Sequence, residues 1–155
     1  MRAKAGEADK EDKMKMVYIC SPCRGDYEQN INNAKEYCLA AIREGLLPIA
    51  PHVYFTQFLD DTNPKERQQG MNCGLQLLAH CQKIRVFGDK LSAGMYWEIR
   101  MAGAIGLKIE VCGSLRFEAM VMSVYHDKND IDADETEKII NDLERAYRLG
   151  DFETP

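Results

Sequence analysis

The run Ile84-Arg85-Val86-Phe87, and after it Ser92-Ala93-Gly94-Met95-Tyr96-Trp97-Glu98 continuing as Ile99-Arg100-Met101-Ala102-Gly103-Ala104-Ile105-Gly106, decides how this chain reads. The first segment has the apolar character of a strand, and the second reads as a loop entering a helix. Ser92 is a good N-cap, because its hydroxyl can accept from the first free backbone N–H groups. Gly94 permits a close backbone approach. Met95, Ile99, Ala102 and Ile105 recur at i, i+3 and i+4, which marks the inward stripe of a helix. Glu98 lies beside that stripe, one turn inside the helix start. The positive end of the helix dipole there favours its ionised form. A residue so placed faces the crevice at the carboxyl end of the strand, where open α/β sheets bind ligands. The plain alternative is a solvated helix glutamate.

Outward from this unit the same alternation repeats. Residues 16–20 form a short apolar first strand bounded by Pro22 and Gly25, and the loop 21–26 follows. Asp26 with Gln29 resembles a capping box. It opens a helix over 27–44 with Ile31, Ala34, Cys38, Ala41 and Ile42 inward and Gly45 as its C′ residue. A second strand over 46–50 contains Pro48, which suits a strand start or an edge. Residues 51–64 read as a long aromatic loop of the kind that lines pockets. A helix over 65–81 turns Met71, Leu75, Leu78 and Ala79 inward. Residues 108–112 form a fourth strand, 113–134 an irregular segment or short helix, and 135–149 a last helix. Strands alternating with helices imply a parallel sheet covered on both faces. The expected fold is therefore α/β, a three-layer flavodoxin-like (Rossmann-like) domain over 16–150, after a charged, disordered arm over 1–15.

Length and charge narrow the function. The chain has 155 residues and a formal net charge of −5, one domain's worth, and too acidic for a binder of nucleic-acid polymers. No apolar run reaches the roughly 18 residues of a membrane span, and no apolar signal core begins the chain, so a cytoplasmic location is expected. The six cysteines fall in apolar runs and read as small buried hydrophobes of a reducing compartment. Cys20-Ser21-Pro22-Cys23 has redox spacing, but Arg24-Gly25 stands where a helix should start, and no second such pair completes a zinc set. G-x-G-x-x-G is absent. No cofactor and no metal are expected.

In such a sheet the loops after successive strands meet at one edge. Here they carry residues 21–26, 52–58 and 88–98, whose polar content argues for a small-molecule site. Tyr18-Ile19-Cys20-Ser21-Pro22-Cys23-Arg24-Gly25-Asp26 resembles the first-strand motif of the nucleoside 2-deoxyribosyltransferase superfamily. Ser92-Ala93-Gly94-Met95-Tyr96-Trp97-Glu98-Ile99 resembles its second motif, a small-residue loop with a glutamate opening the helix. His52 and Ser92 fall where the related 2′-deoxynucleoside 5′-phosphate N-hydrolases have a histidine and a phosphate-binding serine. Small uncharacterised phage and bacterial proteins of the superfamily look similar, and the resemblance covers 17–112.

The resemblance implies cleavage or transfer at the N-glycosidic bond of a nucleoside or nucleotide, with Glu98 as nucleophile and Tyr18 orienting it. Asp89 is the candidate proton donor, or a plain turn residue. Arg24, Gly25, Ser92, Gly94 and Met95 would bind substrate, Arg24 and Ser92 at any 5′-phosphate; Arg24 is otherwise a surface ion-pair partner. His52 would contact the base or cap its own turn. The resemblance also implies a homodimer in which the region of Glu118 is lent to the neighbour's site, with Glu118 standing where the hydrolases have a phosphate-binding serine. A further aspartate of the family has no counterpart, the region being Asn72-Cys73-Gly74. The rival readings are a non-catalytic nucleotide-binding module and an NAD or ADP-ribose glycohydrolase.

Overall fold

Short apolar strands that alternate with helices favour parallel pairing, since a crossover helix returns the chain to the same end of the sheet. The computed structural model describes residues 13–128. Its strands are β1 (Met16–Cys20), β2 (Leu47–Ile49), β3 (Lys83–Phe87) and β4 (Lys108–Cys112), all parallel, in spatial order β2-β1-β3-β4. Its helices are α1 (Tyr27–Arg43), α2 (Pro51–Phe55), α3 (Pro64–Ala79), α4 (Ala93–Ile105) and α5 (Leu115–Tyr125). This is the expected three-layer flavodoxin-like α/β architecture. The chain leaves β1 towards β2 and returns to β3 on the other side, so the switch point lies between β1 and β3, where such sheets open a crevice.

The two faces follow from strand alternation. Val17 and Ile19 of β1 pack with Ala41, Tyr37 and Cys38 of α1, and Phe87 joins them. Tyr18 and Cys20 point the other way, into a larger core with Ile84 and Val86 of β3, Leu78 of α3, Met95 and Ile99 of α4, and Phe117 and Val121 of α5. On the α1 face, Arg85 of β3 is buried yet fully engaged. Its guanidinium reaches Glu44 at 2.8 Å and Glu110 of β4 at 2.8 Å, and Lys83 reaches Glu110 at 2.8 Å. A buried cation is tolerable only when paired in this way.

Caps account for the helix starts. Asp26 Oδ1 accepts from the Gln29 N–H, Asn63 from Lys65 and Glu66, Ser92 from Met95, and Ser114 from Phe117. The capping box is only half made, because the Gln29 amide donates to Asn33 one turn along instead of reaching back. Residues 51–64 contain a helix where a loop was expected: Pro51 occupies the first turn of α2, a position where its missing N–H costs nothing. Residues 115–125 form a full helix, whose Phe117 and Val121, one turn apart, enter the core while Leu115 stays exposed.

Three inward assignments are corrected. Ile42, Ala79 and Ile105 are exposed, each in the last turn of its helix, where the helix has run past the strands it covers. The cysteines divide likewise: Cys20 and Cys81 are buried, but Cys73 and Cys112 are exposed. The arm assigned to 1–15 lies outside the described residues except for 13–15, which form neither helix nor strand, and the helix expected over 135–149 lies outside them entirely. Among the described residues no helix is long and apolar enough to cross a membrane.

Candidate active site

A cavity of about 550 Å³ opens at the carboxyl ends of β1 and β3. Its floor is Tyr18 and Glu98. The tyrosine is fully buried, held on the central strand, and its hydroxyl donates to Glu98 Oε1 at 2.8 Å. α4 delivers Glu98 to this point because Ser92 fixes the helix start and Met95 and Ile99 anchor the same helix in the core. Cys20, two residues beyond Tyr18 and therefore on the same face, turns its thiol towards Glu98 and favours the charged form of the carboxyl.

Burial pushes the Glu98 carboxyl up from the ordinary 4.5 to about 7, against the opposing pull of the bonds from Cys20 and Tyr18. This corrects the expectation that the helix start keeps it ionised. An exposed helix terminus is worth about 0.3–1 kcal/mol to a carboxylate, less than removal from water costs it here. The same desolvation, together with the adjacent Glu98 charge, raises Tyr18 and Cys20 well above their usual ranges, so both act as donors to Glu98. Replacing Cys20 by Ala should remove an interaction that favours the ionised carboxylate and raise the Glu98 midpoint further. Carbon-13 carboxyl NMR titration measures this, and an unchanged midpoint would mean the thiol does not hold the carboxylate.

The first wall comes from the loop after β1. Ser21 is buried, and its hydroxyl lies 3.1 Å from His52 Nε2 of α2. Burial drives His52 down to about 4, so at neutral pH its ring is uncharged. Arg24 lines the cavity, but its Nε binds Asp61 Oδ2 at 3.0 Å and its Nη2 binds the Asp61 carbonyl at 3.1 Å. The ion-pair reading of Arg24 is thus realised, and the partner comes from 37 residues away.

The second wall is the loop after β3 and the start of α4. Asp89, Ser92, Gly94 and Met95 all line it; Asp89 is exposed, and the Ser92 hydroxyl is occupied as the cap of α4 at 3.2 Å. α3 closes the third side with Gly70, Met71 and Gly74. A side chain at Gly74 would bring its Cβ to 3.2 Å from the Tyr18 hydroxyl, so glycine keeps the space over the Tyr18–Glu98 pair open.

The structure therefore brings Tyr18, Arg24, His52, Asp89, Ser92, Gly94, Met95 and Glu98 to one cavity. Two assigned residues are elsewhere. Gly25 shapes the turn into α1 with a φ of +90° and does not line the cavity. Glu118 is exposed on the first turn of α5 and does not line this chain's cavity. Sequence reasoning missed Cys20 and Asp61. The first was legible from its place two residues after Tyr18; the second is a long-range pairing with no local signal. Among the described residues no three His, Cys, Asp or Glu side chains gather as a metal-binding group.

The fold and the cavity at its switch point define a flavodoxin-like α/β domain. The structure is similar to a 2-deoxyribosyltransferase from Bacillus psychrosaccharolyticus, with a TM-score of 0.57 and 12% identity over 81% of this chain and 90% of that one. It also resembles a 2-desoxiribosyltransferase from Leishmania mexicana, with a TM-score of 0.49 and 15% identity, over 63% of this chain and 63% of that chain's length. By sequence, residues 15–112 match the model of a domain of unknown function (DUF7768), and the chain belongs to that family. No curated protein matches it.

Proposed function

We propose that this chain cleaves or transfers at the N-glycosidic bond of a nucleoside or nucleotide through a glycosyl-enzyme intermediate on Glu98. The observation that carries this reading is the pair of a fully buried Tyr18 and a half-buried Glu98 facing an open cavity, with the tyrosine hydroxyl 2.8 Å from the carboxyl group. A cleft carboxyl displaced towards neutral pH by burial is a frequent mark of a functional group. Glu98, once ionised, would attack C1′ as the bond to the base breaks, and Tyr18 and Cys20 would hold the attacking oxygen in line. Water or a second base would then take the sugar from the ester. His52, uncharged, would meet the base with Ser21 behind it. Asp89, exposed at the cavity, is the donor proposed for a base that needs a proton.

At the 5′ end, Arg24 remains the candidate partner, with its charge shared by Asp61. Ser92 and the amides at the start of α4 would complete that end. The proposed assembly is a homodimer in which the partner is met near Glu118 on α5. The printed name of the similar Bacillus psychrosaccharolyticus structure, a 2-deoxyribosyltransferase, supports the substrate class by fold alone.

The test is chromatography of free base after incubation with nucleosides, their monophosphates and NAD, with and without an added free base, alongside intact-mass measurement of the protein. Release of base with a sugar-sized adduct on the protein is the expected outcome, and base exchange would identify a transferase. Binding without release would make the chain a nucleotide-binding module and end the enzymatic reading.

A further inference from the structure

Breaking an N-glycosidic bond leaves an electron pair on the base nitrogen. A neutral purine or pyrimidine then leaves well only if an acid protonates it, and a positioned acid contributes about 10²–10⁴-fold. Among the described residues lining this cavity, the carboxyl groups other than Asp89 and Glu98 are engaged elsewhere. Asp61 is a carboxylate bound to Arg24. The Glu66 carboxylate accepts from the Asp60 N–H and ties down the loop before α3, and the Asp26 carboxylate caps α1 by accepting from the Gln29 N–H. Asp89, the donor proposed above, is exposed to water, and a substrate that needs no proton does not depend on it. His52 is uncharged, and burial pushes the Cys23 thiol up to about 11. Over the Tyr18 hydroxyl itself, α3 presents Gly74, which carries no side chain. The lining as a whole carries five carboxyl groups (Asp26, Asp61, Glu66, Asp89, Glu98) against three cations (Arg24, Arg67, Lys90).

We propose that this cavity takes N-glycosides whose base already bears a positive charge, such as a pyridinium or an N7-alkylated purine attached to ribose or deoxyribose. The inference rests on the N-glycosidase reading above and narrows its substrate. For such a substrate no proton donor is needed. Glu98 Oε forms a bond to C1′, the C1′–N bond breaks, and its electron pair neutralises the ring nitrogen, so the base departs uncharged. Water then attacks the glycosyl ester and loses a proton to solvent, returning the carboxylate and the free sugar. An acidic cavity also favours the cation on arrival, whereas it gives a neutral nucleoside no such advantage.

The experiment measures base release from nicotinamide riboside and N7-methylguanosine beside guanosine, each with its uncatalysed rate. An enzyme that supplies a proton narrows the gap between N7-methylguanosine and guanosine; one that does not leaves the gap at its uncatalysed size or widens it. Here kcat/KM for the methylated cation should exceed that for guanosine by about 100-fold or more. The KM for either cation should also rise with ionic strength, as screening weakens the attraction. A gap smaller than about 100-fold would overturn the inference and leave the N-glycosidase reading standing. Failure of all three substrates, with no sugar adduct on the protein, would remove both.

Discussion

Glu98→Gln is expected to lose turnover completely and yet to be more stable than the native protein at pH 8. The substitution is nearly isosteric, keeps an acceptor for Tyr18 and Cys20, and removes only the charge. The folded carboxyl titrates at about 7 against an ordinary 4.5, so its protonated form is the one the fold prefers. Its contribution to stability is complete below about pH 4.5 and is lost as pH rises through 7. By then the native protein carries a burial cost of up to about 3 kcal/mol that glutamine lacks. His52, held at about 4, works in the opposite sense, with stability present above its ordinary 6.5 and lost as pH falls. Since both proteins contain it, it cancels in their difference. Cys20 and Tyr18, both raised, and Cys23 at about 11 do not titrate in this window. Thermal melts at pH 5 and pH 8 should therefore show a gap between variant and native protein that opens only at the higher pH. A pH-independent gap would show that the carboxyl is not in a dry environment, and retained base release would end its assignment as nucleophile.

Gly103→Ala is expected to be the most damaging single-methyl change on α4. Gly103 is buried where α5 ends, and a Cβ there would overlap the Tyr125 carbonyl oxygen, with the Tyr125 carbonyl carbon at 3.0 Å. Backbone cannot rotate away as a side chain can. Alanine is favoured over glycine in a helix by about 0.8–1 kcal/mol, but overpacking against a fixed neighbour costs about 1–3 kcal/mol and sometimes more. The net expectation is a loss of about 2 kcal/mol, read from the urea midpoint. Gly94→Ala, on the same helix, serves as the control: its Cβ would find nothing nearer than the Ser92 hydroxyl oxygen at 4.0 Å. Equal midpoints for the two variants would mean that α4 and α5 do not meet as closely as described.

Much of the architecture was legible because burial imposes period. The four strands and the helices α1, α3 and α4 each showed their pattern, and Ser92 and Asp26 announced two helix starts. α5 was less clear because its exposed Leu115 and half-buried Met120 blur a stripe that only Phe117 and Val121 carry to the interior. α2 was missed because a proline followed by aromatics reads as loop, although proline is equally at home in a first helical turn. At the site, the pairing of β1 with α4 through Tyr18 and Glu98 came from motif resemblance; nothing local in either segment names the other. The protonation of Glu98 could not be read at all. It depends on how completely the surrounding chain excludes water, and a helix position alone points the wrong way.

The sheet described here ends differently on its two sides. β2 is three residues long and one of them is Pro48, which has no N–H to offer an incoming strand. β4 is five residues long, and its Lys108 and Glu110 bring charge to that edge. A short strand with proline and charged residues along an edge are two of the ways proteins discourage chain-to-chain strand pairing. Heated or crowded copies of this protein should therefore find little template at β2, and self-association through sheet growth would begin at β4. Neutralising Lys108 and Glu110 together would then promote fibrous aggregation more than any change made to β2.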